Sequence, residues 1–194
     1  MILIFFGPPG AGKGTQADLI SKKFGIPHLS TGEILRKKLI DTDPLSKKLK
    51  DVIDSGNLVS NDILNKIVAS RIAISDCNQG FILDGFPRTI VQKDFLADFF
   101  INNNLKISKI FDLRLSQKKI NQRIKSRFNI EYRGDDKEEI IKTRIFKYLQ
   151  ETKPISDYYS LNYPQNYYLI DADQEIQMIH SDIIKIIKNC DFQW

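Results

Sequence analysis

The segment Gly7-Pro8-Pro9-Gly10-Ala11-Gly12-Lys13-Gly14-Thr15 brings together the residue types that grip phosphate. Its glycines leave backbone N–H groups uncrowded, so they can converge on phosphate oxygens, and the Lys13 ammonium adds a full positive charge. In the common form of such a loop a Ser or Thr follows the lysine directly, and its hydroxyl ligates Mg²⁺. Here Gly14 stands at that position and Thr15 comes one residue later. Mg²⁺ keeps its water ligands readily, so it is expected to be held mainly by nucleotide phosphates and water. The variant leans away from switch GTPases and motor ATPases.

Arginine is the second source of chemistry. Only eight arginines stand beside 21 lysines, so each position carries information. Arg123 and Arg127 lie four apart and share one helix face. Arg133 and Arg144 flank an acidic stretch, Arg88 follows Asp84 closely, and Arg36 lies far upstream. The planar guanidinium fork suits bidentate phosphate contacts. Arg71 and Arg114 are expected to form ordinary surface ion pairs. The other six, with Lys13, exceed what one triphosphate needs. Two phosphorylated substrates held end to end would use them.

These groups need a scaffold, and the hydropathy pattern supplies one. Ile2 to Phe6 is a short apolar run of the kind that forms a buried parallel strand. Ala17, Ile20 and Phe24 then mark one face of a helix that stops at Gly25. Further strands are expected at Ile26 to Leu29, Phe81 to Leu83, Ile110 to Leu113 and Tyr167 to Ile170. Helical patterns alternate with them, which predicts a parallel sheet covered on both faces. Ser30-Thr31-Gly32-Glu33 has capping-box spacing for a helix to about Ile40. Leu45, Leu49, Val52 and Ile53 continue a helical stripe to Gly56, and Ser60 is expected to cap the next helix. Three consecutive helices interrupt the strand–helix rhythm, so residues 30–59 read as a small inserted lobe. The strand at Phe81 delivers Asp84 to the carboxyl edge of the sheet, where ligands bind in open α/β folds. Later helices are expected from Ser116, from the acids around Asp135, and at Ile176 to Ile187. Pro154 is expected to interrupt the second of these.

The bulk composition excludes several classes. At 194 residues the chain is long enough for one domain with a sizeable core. It has no apolar run long enough to span a membrane, and a core strand stands where a leader would, so no signal peptide is expected. Cys77 and Cys190 lack metal-ligand spacing and read as reduced thiols of a cytoplasmic protein. The net charge of +5 is spread over helix-surface lysines rather than gathered in a tail, which argues against nucleic acid.

With these residues in hand, the sequence resembles the adenylate kinase family of nucleoside monophosphate kinases. The resemblance rests on Gly7 to Gln16, Ser30 to Arg36, Asp84-Gly85-Phe86-Pro87-Arg88 with Gln92, Arg123-x-x-x-Arg127, and Arg133-x-Asp135-Asp136 leading to Arg144. These segments run in family order over most of the chain. The resemblance implies a P-loop three-layer α/β fold with a central parallel five-stranded sheet. It divides the chain into a core (1–29, 60–126 and 134–194), a monophosphate-binding lobe (30–59) and a short lid (127–133). It also implies reversible, Mg²⁺-dependent transfer of the ATP γ-phosphoryl group to AMP, giving two ADP, by a monomer.

By the same resemblance, Gly10, Ala11, Gly12, Lys13, Gly14 and Thr15 hold the ATP phosphates, with Arg123 and Arg127. Gln174 falls near the adenine of ATP, using backbone more than side chain. Thr31, Arg36, Asn57, Leu58, Val59, Gly85, Phe86, Pro87, Arg88 and Gln92 surround AMP, and Arg133 and Arg144 bridge toward it. Lys13, Arg88, Arg123, Arg133 and Arg144 are the expected stabilisers of the transferring group. Asp84 would orient metal-bound waters or, alternatively, cap the Gly85 turn. In the family, Thr at 31 and Gln at 92 accompany adenine, whereas pyrimidine kinases such as UMP/CMP kinase tend to have Ala and Asn. A glutamine amide offers a donor and an acceptor to the adenine edge. Only five residues separate Arg127 from Arg133, which leaves no room for a zinc site in the lid.

Overall fold

The structure is a computed structural model, and it describes residues 1–38, 52, 55, 57–116, 118–124 and 138–188. Expectations for Arg127, Arg133, the 127–133 lid, the middle of the 30–59 lobe and Cys190 lie outside those residues.

Five strands form one parallel sheet: β1 (Ile2–Phe6), β2 (His28–Ser30), β3 (Phe81–Asp84), β4 (Lys109–Arg114) and β5 (Tyr167–Asp171). Their order is β2-β3-β1-β4-β5, with β1 central and paired as Ile4 to Leu83 and Ile4 to Ile110. Every residue of β1 is buried, because helices cover both faces of the sheet. Alternate side chains serve the two layers. Ile2, Ile4 and Phe6 pack toward α3 (Asn61–Ile72) and α4 (Ile90–Asn102), meeting Leu64, Val68, Leu96 and Phe100. Leu3 and Phe5 pack the other way, against Ala17 and Ile20 of α1 (Lys13–Phe24).

The strands lie where the apolar runs predict them, within two residues at each end. Gly25 ends α1 in a left-handed conformation, with its N–H donating to Ser21 O. The capping-box spacing at Ser30 starts α2 (Thr31–Lys38), and Glu33 N–H donates to Ser30 Oγ at 3.4 Å. Ser60 precedes α3 but gives no side-chain cap.

Beside Pro154 the α-helix is interrupted, as expected, but the chain does not leave the helix. Instead α5 (Glu138–Lys147) widens into a π-helical segment, Tyr148–Thr152, that runs straight into α6 (Lys153–Asn162). Proline cannot donate a backbone hydrogen bond, and its ring crowds the carbonyl four residues back. Widening the turn, with Lys153 N–H reaching Tyr148 O, relieves that conflict without ending the helix. The final helix, α7 (Ile176–Lys188), buries Ile179, Ile183 and Ile187 against the α1 layer.

Candidate active site

Beyond Phe6 the chain turns so tightly against β4 that Gly7 has φ +139°, and a Cβ there would lie 2.7 Å from Leu113 O. Only glycine fits. The loop closes locally, with Ala11 N–H donating to Pro8 O at 3.2 Å. Lys13 opens α1, and its Nζ donates back to the carbonyls of Gly7 and Pro8 at 2.8 and 3.0 Å. The ammonium is thereby fixed within the loop. Arg123 reaches the same loop from the helical residues 118–124. It donates to Ala11 O at 3.3 Å, and to Ala172 O and Gln174 O at 2.7 and 3.0 Å. The Gln174 amide turns away to Asp171 O, so backbone rather than side chain faces Arg123. Thr15 is exposed on α1.

Gly14, where the common loop has a hydroxyl, faces Asp84. A Cβ at Gly14 would sit 3.6 Å from Asp84 Oδ2, an ordinary contact. Asp84 is nearly buried at the carboxyl end of β3. Burial alone would raise its pKa. His28 and the positive charges of Lys13 and Arg88 outweigh that, and the carboxyl is held below its ordinary value. His28 lies between two acids, with Nδ1 2.7 Å from Asp18 Oδ1 and Nε2 3.4 Å from Asp84 Oδ2. The second contact is not aligned as a hydrogen bond, so it acts through charge. Burial opposes protonation of His28, but the two carboxylates win and raise its pKa. Asp84 therefore offers an ionised oxygen beside the loop, suited to a water ligand of Mg²⁺. Among the described residues no group of three or more ligating side chains gathers into a metal site.

Two cavities open on this edge of the sheet. One has a volume of about 570 Å³ with its mouth included, and its lining includes Thr31, Arg36, Asn57, Leu58, Val59, Arg88 and Arg144. The other, about 530 Å³, includes Lys13, Pro9, Gly85, Pro87, Arg88, Arg144, Lys147 and Thr152 in its wall. Leu58, Arg88 and Arg144 belong to both. Gly85, at φ +81°, lets the chain pass between Thr31 and Arg88; a Cβ would meet Thr31 Oγ1 at 2.7 Å and Arg88 Nη2 at 2.6 Å. Thr31 Oγ1 donates to Gly85 O at 3.0 Å, and Arg88 Nε to the same oxygen at 2.7 Å.

Arg88, Arg144 and Lys13 are thus brought to one space, with Arg36 in the first cavity. Phe86 and Gln92 are not brought to the cavity walls. Phe86 is buried edge-on to Phe95, at 84° between rings. Gln92 is fully buried, with Oε1 accepting from Arg88 N–H and Nε2 donating to Asn61 Oδ1. Arg71 forms the expected surface ion pair, to Asp76 at 2.7 Å, whereas Arg114 pairs at 2.6 Å with Asp112, whose carboxylate is fully buried rather than on the surface. Lys147 and Thr152 line the second cavity without having stood out in the sequence. Lys147 lies one helical turn beyond Arg144, a spacing that could have exposed it. Thr152 arrives through the π-helical segment, which no local pattern announced.

A family model described as adenylate kinase matches residues 5–163, through both the phosphate loop and the Arg88 turn. The chain belongs to the adenylate kinase family. It is 42% identical over 166 residues to the adenylate kinase of Brucella melitensis biotype 1, covering 82% of this chain and 86% of that one. To the adenylate kinase of Corynebacterium glutamicum strain R it is 40% identical over 187 residues, covering 96% of this chain and 99% of its relative. The adenylate kinase family thus supplies the frame in which the paired cavities are read. No helix among the described residues is long and apolar enough to cross a membrane.

Proposed function

We infer that this protein transfers the γ-phosphoryl group of ATP to AMP, reversibly, giving two ADP. One observation carries the reading: two cavities meet at Arg88 and Arg144, and Lys13 lines the second of them. Phosphoryl transfer asks little covalent chemistry of a protein. It needs in-line alignment and stabilisation of charge spread over the moving group. The AMP phosphate is already anionic, so no general base is required.

In this reading the phosphate loop, Gly10 to Thr15, holds the ATP phosphates by backbone N–H groups, with Lys13 at the transferring end. Arg123 braces the loop and, with Arg127, serves ATP, while the Gln174 carbonyl region borders its adenine. Thr31, Arg36, Asn57, Leu58, Val59, Gly85, Pro87 and Arg88 receive AMP, with Phe86 and Gln92 supporting them from behind. Arg88, Arg144 and, by family resemblance, Arg133 span the two substrates. Mg²⁺ bound with ATP would neutralise β- and γ-phosphate charge, with Asp84 holding its waters. Residues 30–59 then form the acceptor lobe and 127–133 a short lid that excludes water. The protein acts as a cytoplasmic monomer on small molecules, without nucleic acid, membrane or structural zinc.

A coupled assay of ADP formation with AMP, GMP, CMP and UMP as acceptors tests this. Expected is ADP formation that depends on AMP and strongly prefers it. Preference for UMP or CMP would overturn the base assignment. ATP turnover equal with and without any acceptor would overturn the reaction.

A further inference from the structure

Arg88 lines both cavities, and its peptide is gripped from two sides. On one side its N–H donates to Gln92 Oε1 at 2.7 Å. The Gln92 amide is itself held, because Nε2 donates to Asn61 Oδ1 at 3.0 Å and the whole residue is buried. Asn61 Oδ1 accepts a second bond, 2.8 Å long, from the Thr89 hydroxyl. That hydroxyl in turn accepts the Gln92 N–H and caps α4. On the other side the Arg88 carbonyl accepts from Thr152 Oγ1 at 3.2 Å. Thr152 is buried at the end of the π-helical segment.

We propose that Asn61, through Gln92, and Thr152 are positioning residues that hold the Arg88 backbone at its N–H and its C=O and so aim its guanidinium between the two cavities. Neither reaches the phosphates in this scheme; each acts through Arg88. The guanidinium ends a long, flexible side chain, and small errors in aiming such a group are costly to an in-line reaction. Holding the peptide by both its N–H and its C=O, and the side chain by Nε on Gly85 O, removes most of that freedom. The bonds run to three separate elements, α3, α4 and the π-helical segment. The widened turn before Pro154 thereby acquires a purpose, since it carries the hydroxyl that closes the clamp. The proposal rests on the reading that Arg88 acts on the substrate phosphates.

The test is steady-state kinetics of Thr152→Val and Asn61→Leu, each alone and combined with Arg88→Ala, with melting temperatures measured in parallel. Each single change is expected to lower kcat/KM for AMP about five- to ten-fold while KM for ATP stays within about two-fold. Thr152→Ser keeps the hydroxyl and Asn61→Asp keeps the accepting oxygen, so both should retain activity. In the Arg88→Ala background the added change should cost less than about two-fold, because there is no guanidinium left to aim. Losses that multiply with Arg88→Ala, or single variants without effect, would overturn the clamp. If Arg88→Ala itself leaves AMP use intact, the functional reading of Arg88 fails and the clamp falls with it. Should Asn61→Leu not fold, Asn61→Ala and Thr152→Val decide the same question.

Discussion

The phosphate loop and the Asp84–Gln92 turn deliver cations to the same space, but they are built differently. In the loop, Gly7, Gly10 and Gly12 take positive φ, and Lys13 Nζ and Ala11 N–H donate to Gly7 or Pro8, with Arg123 alone reaching Ala11 O from outside among the bonds described. Most of its internal bonding lies within nine consecutive residues. The turn borrows its order from afar: Thr31, Asn61 and Thr152 come from three separate helical elements to hold Gly85, Gln92 and Arg88. A backbone-coded site is damaged by local changes. A site held by distant side chains can be damaged from many places and repaired by conservative ones.

The largest effect expected on either side is that of Lys13→Met. It removes the ammonium while keeping the stem, so ADP formation should fall about a thousand-fold, and AMP affinity, measured by titration calorimetry, should stay near wild type. A comparable loss of AMP binding would erase the distinction between the two regions. Gly85→Ala attacks the other side. The positive φ costs about 1–2 kcal/mol for any side chain, and the new methyl would press on Thr31 Oγ1 and Arg88 Nη2. Expected are a lower denaturation midpoint and a raised KM for AMP, with KM for ATP little changed; a rise confined to ATP would contradict the assignment of the turn.

His28 tests the residue that stands between the regions, since its partner Asp84 faces Gly14 of the loop. Its folded pKa lies above the ordinary 6.5, so the protonated ring contributes stability that is fully present below that value. The contribution is lost as pH rises through the folded pKa. The urea midpoint of the wild type, relative to His28→Gln, should therefore decline on going from below pH 6.5 into the alkaline range. Identical pH profiles would show that the ring does not couple to the two acids. Asp84 has the opposite sign: its folded pKa is depressed, and its contribution is lost only as pH falls through that lower value.

The smallest effect belongs to Cys77, at the far end of β3 from both regions. Burial raises its thiol pKa to about 11 despite the neighbouring Arg71. In a Cys190→Ser background the native protein should react with iodoacetamide at pH 8 far more slowly than the urea-unfolded chain. Equal rates would mean that this end of the sheet opens readily.

What could be read from the sequence follows the same division. The glycine spacing, Lys13 and the apolar run before them made the loop readable because these determinants are local. The five strands were legible for the same reason, since burial on both faces leaves uninterrupted apolar runs. Pairing order, and hence the meeting of β1 with β3 that sets Asp84 beside Gly14, is a long-range outcome. Gln92 shows the limit most clearly. Its amide bonds to Asn61 and to the Arg88 N–H, partners that local spacing could not nominate. Pro154 announced an interruption of the α-helix, but not its form, a widened turn in place of a break.

In the proposed reaction ATP on the phosphate loop and AMP beside Arg88 are bound at once. Initial velocities of ADP formation, measured over a grid of ATP and AMP concentrations, test it directly. Reciprocal plots that intersect would mean that both substrates are bound before transfer, as a shared Arg88 and Arg144 require. Parallel lines, or ADP release with ATP alone, would contradict it.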